Sequence, residues 1–177
     1  MMSKFLTFSI LMVGFTMPAA AGNYYVGASA VDTDYRENSP SVSDNGVAYT
    51  VGRKLNLSKV VDTAIEFSIG KLLDKTHQIA GIELDTEIES KELSLVWSKQ
   101  FGSVSPFVRL GYADTELTVR GFRVVNADDK GTYYGLGLDY ALSDSLFLRL
   151  EMDDREFKYN GSTSDVETSR LGIFKRF

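Results

Sequence analysis

Few side chains in this chain have types and spacings that could do chemistry. His77 is the single histidine, and a histidine beside a serine or an acid can serve as a general base. No serine lies between Leu72 and Thr86, and Lys75 stands two positions before the histidine. A solvated histidine is therefore expected, and no enzyme activity is assigned. Asn126-Ala127-Asp128-Asp129-Lys130-Gly131 begins like a calcium loop. Its fifth position is Lys130 and its twelfth is Gly137, where oxygen ligands belong, so an ordinary turn is expected. Asp32, Asp34 and Glu37 read as a solvated acidic stretch. The chain has no cysteine, which removes disulfide and thiol chemistry. No cofactor and no metal are expected.

What remains is a set of charges at alternate positions in otherwise apolar runs. Glu66, Glu92, Asp139 and Glu151 stand against Arg109, Arg149, Arg170 and Arg176. Charges away from water persist only when paired and hydrogen-bonded. They point to a salt-bridge network, read as a structural plug or as a gate whose pairs rearrange.

The elements that carry these charges repeat with a period of two. From Thr132 to Met152 the chain alternates, turns once and alternates again. Tyr134, Leu136, Leu138 and Tyr140 share one face, then Leu146, Leu148, Leu150 and Met152. Gly135, Gly137 and Asp139, then Phe147, Arg149, Glu151 and Asp153, take the other. An apolar stripe backed by small and charged residues fits a membrane barrel, with lipid outside and a polar lumen inside. A soluble lipocalin-like barrel needs the opposite polarity.

Turn signals divide the chain into eight candidate strands: Asn23–Asp32, Val47–Lys54, Val60–Lys71, Glu87–Phe101, Ser105–Val119, the two of the Thr132–Met152 hairpin, and Val166–Phe177. Leu55–Lys59, Gly102–Val104 and Leu142–Ser145 are short connections. Thr33–Gly46, Leu72–Thr86, Arg120–Lys130 and Asn160–Asp165 are longer and more polar, and are expected to be loops on the outer face. Tyr24, Tyr25, Trp97, Phe101, Phe107, Tyr140 and Phe177 lie near strand ends, as interfacial girdles do. Lys175 and Lys99 face outward near strand ends, where their stems can snorkel.

Met1–Ala21 has the form of a secretory signal. Lys4 precedes the apolar run Phe5–Met17, and Pro18-Ala19-Ala20-Ala21 offers a cleavage site. Gly22–Phe177 is then one barrel domain with 18 basic and 24 acidic residues. That balance argues against nucleic acid as a partner.

The run from Tyr134-Gly135-Leu136-Gly137-Leu138-Asp139-Tyr140 through Leu146-Phe147-Leu148-Arg149-Leu150-Glu151 resembles a stretch of small outer-membrane barrels. These are the OmpA-type transmembrane domain and its OmpX/Ail-like and opacity-protein relatives. The end, Leu171-Gly172-Ile173-Phe174-Lys175-Arg176-Phe177, is similar to their C-terminal strand, with Lys175 where relatives often carry an aromatic. The resemblance implies an all-β, eight-stranded antiparallel up-and-down barrel, monomeric, in the outer membrane of a Gram-negative bacterium. It implies contact with lipid and lipopolysaccharide, and an assembly signal in Leu171, Gly172, Ile173 and Phe177 read by the barrel-assembly machinery. A periplasmic peptidoglycan-binding domain is not expected in this length. The expected role is non-enzymatic: envelope integrity, or surface interaction such as adhesion through four outer loops, with an unidentified ligand. An OmpW-like channel for ions or small solutes is the alternative, and a lipid A–modifying enzyme a weaker one resting on His77.

Overall fold

The computed structural model describes residues 23–36, 42–55, 57–79, 82–121, 124–159 and 162–177. The signal segment Met1–Ala21 and Glu37 lie outside the described residues, as does the side chain of His77. The described chain forms eight strands: β1 (Tyr24–Arg36), β2 (Val42–Leu55), β3 (Asp62–Ile79), β4 (Ile82–Ser98), β5 (Val104–Arg120), β6 (Val124–Ala141), β7 (Leu146–Tyr159) and β8 (Ser162–Arg176). Each is antiparallel to its neighbour, and β1 pairs with β8 to close the barrel. Closure leaves no sheet edge facing hydrocarbon, which has no partner for a backbone N–H or C=O.

One correction concerns the connections. The expected loops Thr33–Gly46, Leu72–Thr86, Arg120–Lys130 and Asn160–Asp165 are largely strand. β3 and β4 pair as far as Ile79↔Ile82, and β5 and β6 as far as Arg120↔Val124. The calcium-like stretch Asn126–Gly131 is likewise part of β6, not a turn. The cause is a reversal of polarity. Over the band of Phe67, Leu95, Leu110 and Leu136 the apolar side chains point outward. Beyond it they point inward, as Val31, Leu72, Leu73, Ile88, Ala127 and Val166, all buried. Asp74, Glu89, Glu116 and Asp128 now face out. β3 and β6 have 18 residues each, while a span needs about 9–11. The surplus stands clear of the lipid on the far rim, opposite the rim that carries the start of β1 and the end of β8.

A β-bulge contributes to the reversal. The β3–β4 register shifts between Lys71 and Leu73, so Leu72 and Leu73 are both buried. A bulge flips the inward set of the strand beyond it. Thr33 donates its hydroxyl to the Leu72 carbonyl at 2.8 Å.

Inside the barrel, four aromatic rings lie on glycines directly across the ladder. The pairs are Tyr25 on Gly52, Phe174 on Gly27, Tyr133 on Gly111 and Phe107 on Gly137. A Cβ at Gly111 would sit 2.2 Å from the Tyr133 ring. A second correction follows: Tyr25 and Phe107 are buried in the lumen and are not girdle residues. Phe101, Tyr140 and Phe177 are exposed near the terminal rim, and Trp97 is half-buried there. The Lys99 and Lys175 ammonium groups lie over the Phe101 and Phe177 rings, at 5.6 Å and 5.4 Å from the centroids.

Gly111→Val displaces the Tyr133 ring from its seat. The expected cost is about 1–3 kcal/mol, measured as a lower urea midpoint by heat-modifiable gel mobility. A variant as stable as the parent would contradict this packing.

Candidate functional site: the charged lumen

Three layers fill the lumen. Nearest the terminal rim, Tyr25, Ala64, Val96, Phe107, Phe147 and Phe174 form an apolar cluster. Phe147 and Phe174 stack with centroids 5.2 Å apart, and Tyr25 meets Phe147 edge-on at 5.8 Å. At the far rim, Val31, Ala48, Leu72, Leu73 and Ile88 make a second apolar layer, with Leu117 against it. The charges lie between these two layers.

Period-two parity on β3, β5, β6 and β7 aims Glu66, Arg109, Asp139, Arg149 and Glu151 inward, and barrel closure brings them together. Glu66 accepts hydrogen bonds from the Tyr25 hydroxyl and from Arg109. It also accepts one from Arg149 Nη1 at 2.7 Å. Arg149 turns its Nε and Nη2 to the two oxygens of Asp139, at 2.7 and 2.9 Å. Arg109 reaches Glu151 with its other Nη. The Arg149 guanidinium also lies between two rings, 4.6 Å from the Phe107 centroid and 4.7 Å from that of Phe174. Those contacts join the first charged group to the aromatic layer.

A second group sits toward the far rim. Arg170 grips Glu92 through two parallel bonds of 2.9 and 2.7 Å. Arg155 reaches Glu92 at 2.9 Å, Asp153 at 2.6 Å and the Ser90 hydroxyl at 3.1 Å. Arg170 Nε lies 3.1 Å from Asp153. The Tyr133 hydroxyl donates to Glu92 at 3.3 Å. Bidentate guanidinium–carboxylate pairs are the stronger and more directional kind.

The structure therefore gathers Glu66, Arg109, Asp139, Arg149 and Glu151 in one group, and Glu92 and Arg170 in another. Arg176 is not gathered with them. It is half-buried at the terminal rim, with its guanidinium 5.3 Å from the Phe147 centroid. Arg155 and Asp153 were missed as network members, although the period of two on β7 aims both inward. Among the described residues, no three histidine, aspartate or glutamate side chains converge as metal ligands. Each of the five lumen carboxylates is engaged by a guanidinium. The space left at the terminal mouth, beside Tyr25, Asp139, Arg149 and Arg176, is about 50 Å³, room for a few waters. Such an arrangement holds strands in register.

A closed eight-stranded barrel with an apolar belt outside and paired charges inside is a membrane barrel. The model of the family described as outer membrane protein beta-barrel domain matches residues 7–177, and the chain belongs to that family. It resides in the outer membrane of a Gram-negative bacterium. Among solved structures it is similar to Neisserial surface protein A (NspA), at 14% identity and a TM-score of 0.68, over 87% of this chain and 97% of that one. It is similar to Ail of Yersinia pestis, at 14% identity and 0.64, over 88% and 99%. It is also similar to the N-terminal barrel domain of Pseudomonas aeruginosa OprF, at 16% and 0.59, over 89% and 100%. Identities this low establish the fold alone. No curated protein matches the chain by sequence.

Glu92→Ala leaves Arg155 and Arg170 buried with one carboxylate fewer to share. The expected cost is about 3–5 kcal/mol, the usual result of breaking a buried ion pair from one side. Asp139→Asn should cost far less, because the Asp139 side chain keeps 17% of its surface exposed at the mouth. Urea unfolding of both variants in detergent checks the order, and equal losses would contradict it.

Proposed function

We propose that the protein is a non-enzymatic scaffold of the outer membrane, closed to ions, that serves envelope integrity and surface interaction through the part standing above the lipid. The observation that carries this reading is the filled lumen: five carboxylates engaged by four guanidiniums between two apolar layers. An eight-stranded barrel has an interior just wide enough for side chains. A pathway would require the Phe107–Phe147–Phe174 layer to part and the buried pairs to break together.

The outer surface supports an interaction role carried by the strands that extend past the apolar band into the stretches expected to be loops. Its exposed side chains include Asp74, Glu89, Glu116, Asp128, Glu156 and Asp165. Several bases there are committed locally, as Lys91 to Glu116, Lys130 to Asp114 and Arg120 to Asp85. Ail has been solved with the heparin analogue sucrose octasulfate. A polysulfate would be repelled by the acidic surface of this chain, which suits a cationic partner. In biogenesis, Leu171, Ile173 and Phe177 project outward from the C-terminal strand, with Gly172 inward. They form the face available to the barrel-assembly machinery.

Planar-bilayer recording tests the closed scaffold. No steady single-channel steps are expected from the parent protein. Regular steps whose size changes with Glu66→Gln would support the channel reading instead.

A further inference from the structure

The bases on the outside of the barrel fall into two sets. Toward the far rim, Lys71, Lys91, Arg120 and Lys130 each stand against a carboxylate. The partners are Asp74 at 3.1 Å, Glu116 at 3.6 Å, Glu87 at 3.2 Å and Asp114 at 2.9 Å. At the terminal rim, Arg53, Lys99 and Lys175 are exposed. Among the described residues, none of the three has a carboxylate within ion-pair range. Each lies over an aromatic ring instead. Arg53 sits 5.3 Å from the Tyr24 centroid, and Lys99 and Lys175 cover Phe101 and Phe177. A ring holds a cation in place without cancelling its charge.

Arg53 and Lys175 belong to one patch. The outward face of β2 runs Val47, Tyr49, Val51, Arg53, and that of β8 runs Leu171, Ile173, Lys175. Each cation stands one outward step beyond the last apolar residue of its strand. That is the height at which hydrocarbon gives way to headgroups. Strand β1 lies between β2 and β8. Tyr24 pairs with Arg53 on one side, and Val26 pairs with Lys175 on the other. Phe177 donates its N–H to the Tyr24 carbonyl at 2.9 Å. Arg53, Tyr24 and Phe177 therefore make one row along the rim, with Lys175 and Val26 one step nearer the belt. β2 and β8 are two strand spacings apart, about 10 Å. Two long side chains can close that distance on a single group lying over β1.

Two cations at headgroup depth, with no carboxylate between them, suit a phosphate. Arg53 offers a fork of N–H donors and Lys175 a point charge, and basic clusters at a membrane surface favour anionic lipid. Val26 and Ile173 beside them offer apolar contact to the start of the acyl chains. The rest of the headgroup is constrained as well. An ethanolamine or choline group would bring a further cation against Arg53 or Lys175, with no carboxylate to receive it. The Tyr24 and Phe177 rings, which could hold such a cation, are already covered. A glycerol headgroup brings only hydroxyls. We infer that Tyr24, Arg53, Lys175 and Phe177 form a binding patch for an anionic glycerophospholipid of the phosphatidylglycerol type, in the leaflet around the terminal rim. The patch requires only the apolar belt and its rim, so a conducting barrel would keep it.

Native mass spectrometry of the folded full chain in detergent provides the test. The chain is titrated with phosphatidylglycerol, and separately with phosphatidylethanolamine of the same acyl chains. Phosphatidylglycerol is expected to bind at least tenfold more tightly. Arg53→Gln with Lys175→Gln should remove that preference, with heat-modifiable mobility showing that the barrel is intact. Lys59→Gln with Lys99→Gln takes the same charge from the same rim and should leave the preference in place. An equal loss in this second pair would overturn the patch in favour of diffuse charge attraction. Equal binding of the two phospholipids by the parent, a result that needs no variant to fold, would remove the site outright. Lipid A bound more tightly than phosphatidylglycerol, and lost with Arg53→Gln and Lys175→Gln, would overturn the phospholipid assignment.

Discussion

A guanidinium within a membrane-spanning barrel has one tolerable place, the lumen, and one tolerable state there, paired. Arg109, Arg149, Arg155 and Arg170 all meet that condition, with Glu66 and Glu92 as their shared acceptors. The rest of the structure depends on this constraint. It fixes which face of each strand looks inward, and hence where the apolar side chains must go. It also ties the strands across the bore. Glu66 on β3 meets Arg149 on β7, 83 positions away, and Glu92 on β4 meets Arg170 on β8, 78 positions away. Neighbouring strands are already joined by their ladders; these bonds join strands that are not neighbours.

The layers on either side of the charges raise what each pair is worth. Water excluded by Phe107, Phe147 and Phe174 on one side, and by Leu72, Leu73 and Ile88 on the other, cannot screen them. Glycine makes the first layer possible. Three of its rings, Tyr25, Phe107 and Phe174, each lie on a glycine across the ladder, so bulky side chains fit a narrow bore without forcing the strands apart. The polarity reversal beyond the lipid rests on the same logic. Once water surrounds the barrel, the outward face turns acidic, and the interior can be built from valine, leucine and isoleucine.

Much of this was legible in the residues. The hairpin from Thr132 to Met152 shows its two faces plainly, and the count of eight strands follows from the turns between such runs. Parity alone aims Glu66, Arg109, Arg149 and Glu151 inward. The pairings were not legible, because depth along a tilted strand and register across a barrel belong to the closed fold. The outer halves of the strands were misread for a physical reason: an outward-apolar template fails where the solvent changes from lipid to water. The bulge at Leu72 and Leu73 also breaks the period of two. Tyr25 and Phe107 sat near strand ends, where a girdle residue and a lumen plug carry the same aromatic signature. Arg155 was within reach, since the β7 alternation runs on past Asp153.

The central claim is that the lumen charges lock the barrel as coupled ion-pair groups. A double-mutant cycle on Glu92→Gln and Arg170→Leu, read by reversible urea unfolding in detergent, tests it most directly. The account predicts a coupling of about 2 kcal/mol or more, near the upper end for residues in one ion-pair network. Losses that add to within about 0.5 kcal/mol, the behaviour of independent sites, would contradict it.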